Sequence, residues 1–284
     1  GAPASPASRY VGADWRDTTS VYGPAFTLAS EPVALLAGDS PDRAAWTFKA
    51  LAAVAILAAA GLAARVSRRP ALAFALVAWN PVLAVHLAGG GHNDGWVGAL
   101  LAASLALAAA GRKGLAGATW AVAILVKWVP VLFLVLQLLT PRGSARRPHA
   151  GAVGLALGAG AALATWRYGV EWARAVVPLA DNAARETSFA LPARLEQLGL
   201  PDYVARGLAL AGLAAGLALL VRSARAGRPR LGASGCLILA TSPYLAPWYL
   251  AWLMPLTAAD DGDRLAVGGS LVLTAYLLPQ TIPV

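Results

Sequence analysis

A histidine, an asparagine and an aspartate stand together at residues 92–94, within the stretch HLAGGGHNDGWVGALL. Their side chains lie between two long apolar runs and follow three glycines, which let a backbone approach a ligand closely. One imidazole and one carboxylate are too few ligands for a zinc site. We therefore interpret His92, Asn93 and Asp94 as candidate catalytic residues that orient a hydroxyl group or take up its proton. The alternative is that Asp94 only caps the helix that follows.

Lys127 is the next candidate, because it stands near the middle of an apolar run at 115–139. An ammonium group in such a run is costly unless it meets an anion or water. Lysine is a common ligand of phosphate groups. The position therefore predicts that Lys127 binds a phosphate or a carboxylate. The alternative is one kinked helix that crosses the membrane with the lysine buried inside.

The segment DWRDTTSVYGP, residues 14–24, combines charge with a turn. Its Tyr-Gly-Pro sequence predicts a turn into a helix, since proline is well tolerated in a first helical turn. Tyr22 and Arg16 are candidates for binding a phosphate-bearing donor. The alternative for Arg16 is an ordinary surface ion pair with Asp17.

Aromatic residues are concentrated in the segment TSPYLAPWYLAW, residues 241–252. Trp248, Tyr249 and Trp252 are candidates for a groove that accepts a sugar ring or an isoprenoid chain. Trp128, directly after Lys127, is assigned to the same groove. The alternative is an aromatic belt at a membrane surface.

The elements that carry these residues are predicted to be membrane helices. The chain is 58% hydrophobic and only 13% charged, with a mean hydropathy of +0.61. Such a composition is far more apolar than that of a soluble domain, and no alternation typical of a membrane β-barrel is present. The clearest apolar runs are 44–64, 71–88, 96–110, 150–165, 204–221 and 265–279.

The positive charge is explained by membrane topology rather than by nucleic acid. The formal net charge is +9, but the basic residues lie in short loops between apolar runs and are not interleaved with aromatic residues. The positive-inside rule places such loops in the cytoplasm, so the clusters described above face outward. The basic loop residues are Arg65, Arg68, Arg69, Arg112, Lys113, Arg142, Arg146, Arg147, Arg222, Arg225, Arg228 and Arg230.

Two apolar segments do not fit a single crossing. Segment 115–139 is interrupted at Lys127 and Pro130, and segment 231–256 at Pro243 and Pro247. Proline removes a backbone donor and ends or kinks a helix. We predict two pairs of short helices whose turns lie near the outer surface, and one or two short interfacial helices within 166–203. Helix 24–37, which contains Pro32, is expected to insert only partly.

The predicted fold is therefore an all-α, polytopic integral membrane bundle with broken or re-entrant helix pairs. Residues 1–284 form one domain. No glycine-rich nucleotide loop, serine nucleophile elbow or zinc spacing is present. A membrane enzyme without a nucleotide site, but with carboxylate, cation and aromatic groups at its outer face, favours a donor that is already in the lipid, such as a polyprenyl-phosphate sugar.

Four segments in order carry a resemblance: VYGPAFTLAS from Val21, WNPVLAVHLAGGGHNDGWV from Trp79, ILVKWVPVLFLV from Ile124 and TSPYLAPWYLAWLMPL from Thr241. Together they resemble the GT-C superfamily, specifically polyprenol-phosphate-mannose-dependent α-1,6-mannosyltransferases and the related glycosyltransferase family 87. The similarity runs over nearly the whole chain.

The resemblance implies inverting transfer of a hexose, expected to be mannose, to an acceptor hydroxyl of a glycan or lipoglycan outside the cytoplasm. Polyprenyl-phosphate-mannose is then the donor, membrane lipids are the surroundings, and no metal cofactor is required. By motif match, residues 92–94 fall at the family's outer acidic turn and Lys127 at its lysine before a proline. Tyr22 falls at the tyrosine-glycine-proline entry, and Trp248 and Tyr249 fall at the aromatic turn.

The chain departs from this pattern at its beginning. The family carries a first transmembrane helix and an outer loop with the usual catalytic acid before the tyrosine-glycine-proline motif, whereas 21 residues precede Tyr22. The expectation is a fragment that lacks that helix and most of that loop. Two alternatives to an active enzyme stay open: a transporter or flippase for lipid-linked sugars, and an inactive membrane fragment.

Overall fold

The computed structural model describes residues 20–176 and 185–281, and every regular element in these ranges is helical. Short 3-10 helices cover Gly169–Val176, Pro247–Tyr249 and Leu278–Thr281. The α-helices are α1 Pro24–Ala37, α2 Pro41–Val66, α3 Pro70–Ala78, α4 Pro81–Leu83 with a π-helical continuation Ala84–Gly89, α5 Asp94–Ala109, α6 Lys113–Val126, α7 Pro130–Leu139, α8 Ala150–Tyr168, α9 Leu191–Gln197, α10 Asp202–Arg225, α11 Leu231–Thr241, α12 Leu250–Ala259 and α13 Arg264–Leu277.

Local sequence signals set many of these helix starts. Proline stands in the first turn of α1, α2, α3, α4, α7 and α9, where its missing N–H group costs no helical hydrogen bond. Side-chain caps begin four helices, with Ser40 accepting from the N–H of Arg43 before α2, and Asn80, His149 and Asp263 capping α4, α8 and α13. Capping oxygens and imidazole nitrogens satisfy donors that have no partner inside the helix.

The run predicted as one helix at 71–88 is not continuous, which corrects the sequence interpretation. Helices α3 and α4 meet at a bend of 42°. The cause is Pro81, which disfavours the helical conformation at the residue before it. Asn80 accordingly has an extended ψ of 117°, and its side chain accepts a hydrogen bond from the N–H of Leu83 to start α4.

Both predicted breaks are present in the helices. Residues 127–129 separate α6 from α7, and the α11 and α12 helices are separated by a loop and the 3-10 helix Pro247–Tyr249. Lys113 at the start of α6 donates to the carbonyl of Ser144 beyond the end of α7, at 3.0 Å. Helices α11 and α12 run antiparallel, because Gly235 packs on Leu253 while Gly232 packs on Thr257. Each pair therefore returns to the end from which it started.

The bundle has two chemically different ends. At the first, which we call the site end, lie the turn at residues 90–93 and the break at 127–129. At the second, the arginine end, Arg146 donates to the carbonyl of Val66 at 3.4 Å, and the N–H of Arg68 donates to Asp261 at 3.3 Å. The basic loops that follow α2, α5, α7 and α10 all lie at the arginine end.

Two of the described helices, α2 and α10, are long and apolar enough to cross a membrane, and the bent pair α3–α4 would be a third. The remaining apolar helices that the sequence predicted as crossings or half-crossings, such as α5 and α6, have 16 and 14 residues. Helix α1 contains Pro32 as expected. The 3-10 helix Gly169–Val176 and α9 confirm the short helices predicted within 166–203.

Small residues let the central helices pack closely. A Cβ atom built on Gly98 of α5 would lie 2.4 Å from the carbonyl oxygen of Ala251 in α12. Real Cβ atoms do not approach a backbone oxygen so closely, so the contact requires glycine. Residues after Asp94 in α5 thereby lie directly against α12, which carries Trp252.

Replacing Gly98 with alanine should lower the free energy of unfolding by about 1 to 3 kcal/mol, because the added methyl group overpacks this contact. Gly158 in α8 is the matched control, since a Cβ there meets nothing within 4 Å. Gly158→Ala should raise stability by about 1 kcal/mol through helix propensity. Thermal unfolding in detergent measures both. Equal stabilisation by the two substitutions would show that α5 and α12 are not in close contact.

Candidate functional site

A buried ion pair joins two of the predicted residues. The Lys127 ammonium donates to Asp94 Oδ1 at 2.7 Å, and the two side chains are 12% and 1% exposed. Removing two charges from water is costly, and only close geometry with further hydrogen bonds offsets that cost. Within the protein, the anion that Lys127 meets is the carboxylate of Asp94, while phosphate binding by Lys127 stays a prediction.

Trp252 supplies the second hydrogen bond to this carboxylate. Its indole N–H donates to the same Asp94 oxygen, at 2.6 Å. Asp94 is the first residue of α5, while the N-cap is Asn93, whose side chain makes no capping hydrogen bond. The side chain of Asp94 is therefore committed to tertiary contacts rather than to the cap that was the alternative interpretation. It ties α5 to the α6–α7 break and to α12.

Aromatic rings surround the Lys127 ammonium on several sides. Nζ lies 5.1 Å from the ring centroid of Trp252, 5.2 Å from that of Tyr249 and 5.8 Å from that of Tyr22. Tyr249 and Trp252 also stack on each other, with centroids 4.0 Å apart. Ring faces attract cations, and more strongly where water is excluded. The rings and the carboxylate together explain how a charge is retained in an apolar bundle.

The tyrosine-glycine-proline turn is docked onto the helix break by backbone contacts. The N–H of Gly23 donates to the carbonyl of Val126 at 3.0 Å. A Cβ atom on Gly23 would lie 2.1 Å from the carbonyl oxygen of Leu125, so another residue would push the two segments apart. Glycine therefore places Tyr22 beside Lys127, which joins two motifs that the sequence analysis treated separately.

His92 lies on the other side of the turn and stacks on Trp248. The two rings are nearly parallel, with an interplanar angle of 10° and centroids 4.1 Å apart. Burial lowers the pKa of His92, which stands in the turn between α4 and α5, although nearby Asp94 opposes this effect. The imidazole is therefore neutral at neutral pH, with one nitrogen able to accept a hydrogen bond.

A cavity of about 440 Å³ opens beside this cluster. Asn93 is 5% exposed, and neither its amide oxygen nor its amide nitrogen has a hydrogen-bond partner among the described residues. Buried amides normally have such partners, so Asn93 is equipped to bind a hydroxyl-rich ligand. The cavity is lined by Tyr22, Phe26, Ala45, Phe48, Lys49, Gly90, Gly91, His92 and Asn93.

The structure therefore brings together most of the predicted site. Asp94, Lys127, Tyr22 and Tyr249 form one cluster, and His92, Asn93 and Trp248 adjoin it. The predictions for Trp128 and Arg16 are not supported by contacts in the described residues.

Trp128 stacks on Trp172 at a centroid distance of 6.4 Å, and no ring contact links it to Trp248 or Tyr249 in the part of the chain described. Its indole nitrogen is buried with no hydrogen-bond partner among the described residues. The assignment of Trp128 to the same groove as Trp248 thus finds no supporting contact. Arg16 lies outside the described residues.

Sequence reasoning did not connect Trp252, a candidate for the aromatic groove, with Asp94, and it assigned no role to Lys49. Trp252 is the partner of Asp94, and the signal for it was its spacing of four residues from Trp248, which places both on one helical face. Lys49 lines the cavity, and its ammonium lies 5.2 Å from the ring centroid of Trp46. No sequence signal singled out Lys49, because a lysine near the start of a long apolar helix is also expected at a membrane surface.

Three carboxylates gather away from this site, at Glu186, Glu196 and Asp202. Arg206 forms ion pairs with Glu186 and Asp202. The cluster is therefore already compensated by an arginine.

Comparison with known proteins relates the N-terminal part of the chain to one family. The model of the family described as "Alpha-(1->6)-mannopyranosyltransferase, N-terminal domain" matches residues 2–141. Residues 2–141 are thus similar to the N-terminal domain of this mannosyltransferase family. A relative from Corynebacterium glutamicum, "Alpha-(1->6)-mannopyranosyltransferase A", is 29% identical over 121 residues, which are 41% of this chain and 25% of that protein. No solved structure matches the chain.

The match confirms the resemblance to α-1,6-mannosyltransferases and locates it. The mannosyltransferase match contains Tyr22, residues 92–94 and Lys127, whereas Trp248, Tyr249 and Trp252 come from beyond residue 141. The aromatic wall of the cluster is thus contributed by the part of the chain outside the matched domain. The aligned segment spans a quarter of the length of the C. glutamicum mannosyltransferase.

Replacing Asp94 with asparagine should lower the free energy of unfolding by about 3 to 5 kcal/mol, because the change leaves the Lys127 charge buried without a counter-charge. The double variant Asp94→Asn, Lys127→Met removes both charges and should recover most of the loss. Thermal unfolding in detergent measures this. A single variant as stable as the unsubstituted chain would contradict the buried ion pair.

Proposed function

We propose that the chain transfers a mannosyl group from a polyprenyl-phosphate-mannose donor to a hydroxyl group of a glycan or lipoglycan at the extracytoplasmic face of the cell membrane. The observation that carries the proposal is the Lys127–Asp94 pair, which stands within an aromatic cluster at the site end and in the half of the chain matched by the mannosyltransferase family. The arginine end would then face the cytoplasm, in agreement with the positive-inside rule.

Lys127 is the proposed clamp for the donor phosphate. The ammonium has three N–H donors, of which Asp94 takes one at 2.7 Å. The other two have no hydrogen-bond partner among the described residues and can bind phosphate oxygens while Asp94 holds the side chain in place. As the bond between the sugar and the phosphate breaks, negative charge grows on the phosphate, and a fixed cation stabilises it. Arg16 is proposed as a second cation for the same phosphate.

Asp94 is proposed to position Lys127 rather than to contact the acceptor itself. Its side chain is 1% exposed and accepts from two donors on one oxygen. His92 and Asn93 line the cavity, and we assign to them the acceptor hydroxyl. In an inverting displacement the acceptor oxygen bonds to the anomeric carbon, the phosphate leaves with the bonding electrons, and a base takes the hydroxyl proton. His92, which is neutral, is the candidate base in the described part of the chain.

The aromatic side chains are proposed to hold the apolar and ring portions of the substrates. Trp248 presents one face to His92, and Tyr249 stacks on Trp252. Flat aromatic faces suit the C–H faces of a sugar ring and the chain of a polyprenyl carrier. The transporter alternative is not favoured, because these polar groups gather at one end of the bundle whereas transporters bind near the midplane.

The test is transfer of radiolabelled mannose from polyprenyl-phosphate-mannose to endogenous lipoglycan in membranes that express the chain. It should be done with residues 1–284 and with the chain extended upstream to a start codon. The double variant Asp94→Asn, Lys127→Met should reduce kcat/KM by at least about 100-fold, since the cation that stabilises the leaving phosphate is lost. Because the double variant is expected to keep its stability, a loss of transfer would reflect catalysis rather than unfolding.

Lys113→Met is the matched control, because Lys113 lies at the arginine end, where it donates to Ser144. It should transfer mannose at the unsubstituted rate. Transfer by the double variant at that same rate would refute the role of Lys127. Absence of transfer in every form, including the extended one, would refute this donor.

A further inference from the structure

A larger cavity, of about 760 Å³, lies at the arginine end of the bundle. It is formed by the loops that follow α7, α10 and α12, together with Arg68 before α3. It is separate from the site above, since the loop residues that line it lie at the opposite ends of the helices. The lining residues that bear on its chemistry are Arg68, Gln137, Arg146, Arg228, Arg230, Asp260, Asp263 and Arg264.

The cavity carries an excess of positive charge. Five arginines and two aspartates line it, a formal net charge of three positive. Arg230 and Asp263 neutralise each other through two hydrogen bonds, of 2.8 and 2.7 Å. The pairing also lowers the pKa of Asp263, chiefly through its hydrogen bond with Arg230. The other arginines of the cavity have no carboxylate within ion-pair distance among the described residues.

Arg230 holds an unusual backbone conformation next to this cavity. Its φ is +46°, and it is the one non-glycine residue with positive φ in the part of the chain described. Such a conformation costs free energy for a residue with a side chain. The two hydrogen bonds to Asp263 offset that cost and fix the loop between α10 and α11. The wall that presents Arg228 is thus held in a defined shape.

Gln137 adds an unpaired acceptor to the same cavity. Its side chain is 1% exposed, and its amide nitrogen donates to the carbonyl of Arg146 at 2.6 Å. Its amide oxygen is buried with no hydrogen-bond partner among the described residues. A buried acceptor without a donor is costly. A hydroxyl group of a ligand could donate the missing hydrogen bond to this oxygen.

We propose that this cavity binds the phosphate head group of an anionic lipid that also carries hydroxyl groups. Arg228 and Arg264 contact the phosphate, and Gln137 accepts a hydrogen bond from a head-group hydroxyl. Arginine is well suited to phosphate oxygens because its donors are planar and paired. The lining also contains Leu231 and Leu265, which offer apolar surface to the start of an acyl chain.

The location favours a lipid over a soluble phosphate. Leu265 is 71% exposed at the first turn of an apolar helix, so the cavity adjoins surface that suits lipid. Loop arginines at this end lie where anionic head groups attract them. The consequence is an anchor that holds three loops together independently of mannosyl transfer.

Native mass spectrometry of the full chain in detergent tests this, with dioleoyl phosphatidylglycerol, phosphatidic acid and phosphatidylcholine as probes. Phosphatidylglycerol should be retained at least about tenfold more strongly than phosphatidylcholine, as expected for charge-assisted hydrogen bonds. Arg228→Gln with Arg264→Gln should remove that preference. Gln137→Leu should weaken the retention of phosphatidylglycerol by about fivefold, the value of one hydrogen bond. It should leave the retention of phosphatidic acid unchanged.

Arg112→Gln is the matched control, because Arg112 is a loop arginine of the same end that does not line the cavity. Its retention of phosphatidylglycerol should equal that of the unsubstituted chain. Inorganic phosphate at millimolar concentration should not displace the lipid; full displacement would overturn the lipid as occupant. Equal retention of phosphatidylcholine, which is zwitterionic, and phosphatidylglycerol, which is anionic, would overturn the site. So would an equal loss of phosphatidylglycerol in the Arg112→Gln control.

Discussion

An ammonium group in an apolar helical bundle has to meet a counter-charge, and Lys127 meets Asp94. The rest of the site depends on this pair. It needs the break between α6 and α7, since the break places Lys127 at a helix end. It also needs Asp94, the first residue of α5, to face that break. The indole N–H of Trp252 must then donate a second hydrogen bond to the Asp94 carboxylate. The glycine of the tyrosine-glycine-proline turn then brings a further ring to the same ammonium. One buried charge thus explains why segments distant in sequence meet at the site end.

The sequence was sufficient to predict the existence of these groups but not their pairing. A lysine inside an apolar run and prolines within apolar segments are local signals, so the broken helices and the need of Lys127 for an anion could be predicted. The contact between Lys127 and Asp94 joins residues 33 positions apart, and that between Trp252 and Asp94 joins residues 158 apart. Such contacts depend on how the helices pack, which periodicity does not reveal. For the same reason Trp128, although adjacent to Lys127, was assigned to a groove that its observed contacts do not support.

The division of charge between the two ends links the fold to the proposed chemistry. At the site end, Lys127 and Asp94 are held by specific partners, as expected where a small ligand is oriented. At the arginine end, arginines outnumber carboxylates and lie in loops, as expected for attraction to anionic head groups. The family match covers the half of the chain that contains Lys127 and Asp94, while the aromatic wall comes from the other half. Both halves are therefore needed to build one site.

The most direct measurement of the central claim is nitrogen NMR of the chain labelled at lysine Nζ. Lys49, Lys113 and Lys127 are the three lysines of the sequence, so three signals are expected and single substitutions assign them. The account predicts a Lys127 ammonium that exchanges its protons slowly, as a buried ion pair does, and whose signal moves when a polyprenyl monophosphate is added while that of Lys113 does not. A Lys127 signal that exchanges as fast as a solvent-exposed lysine, or that ignores the polyprenyl phosphate, would contradict it.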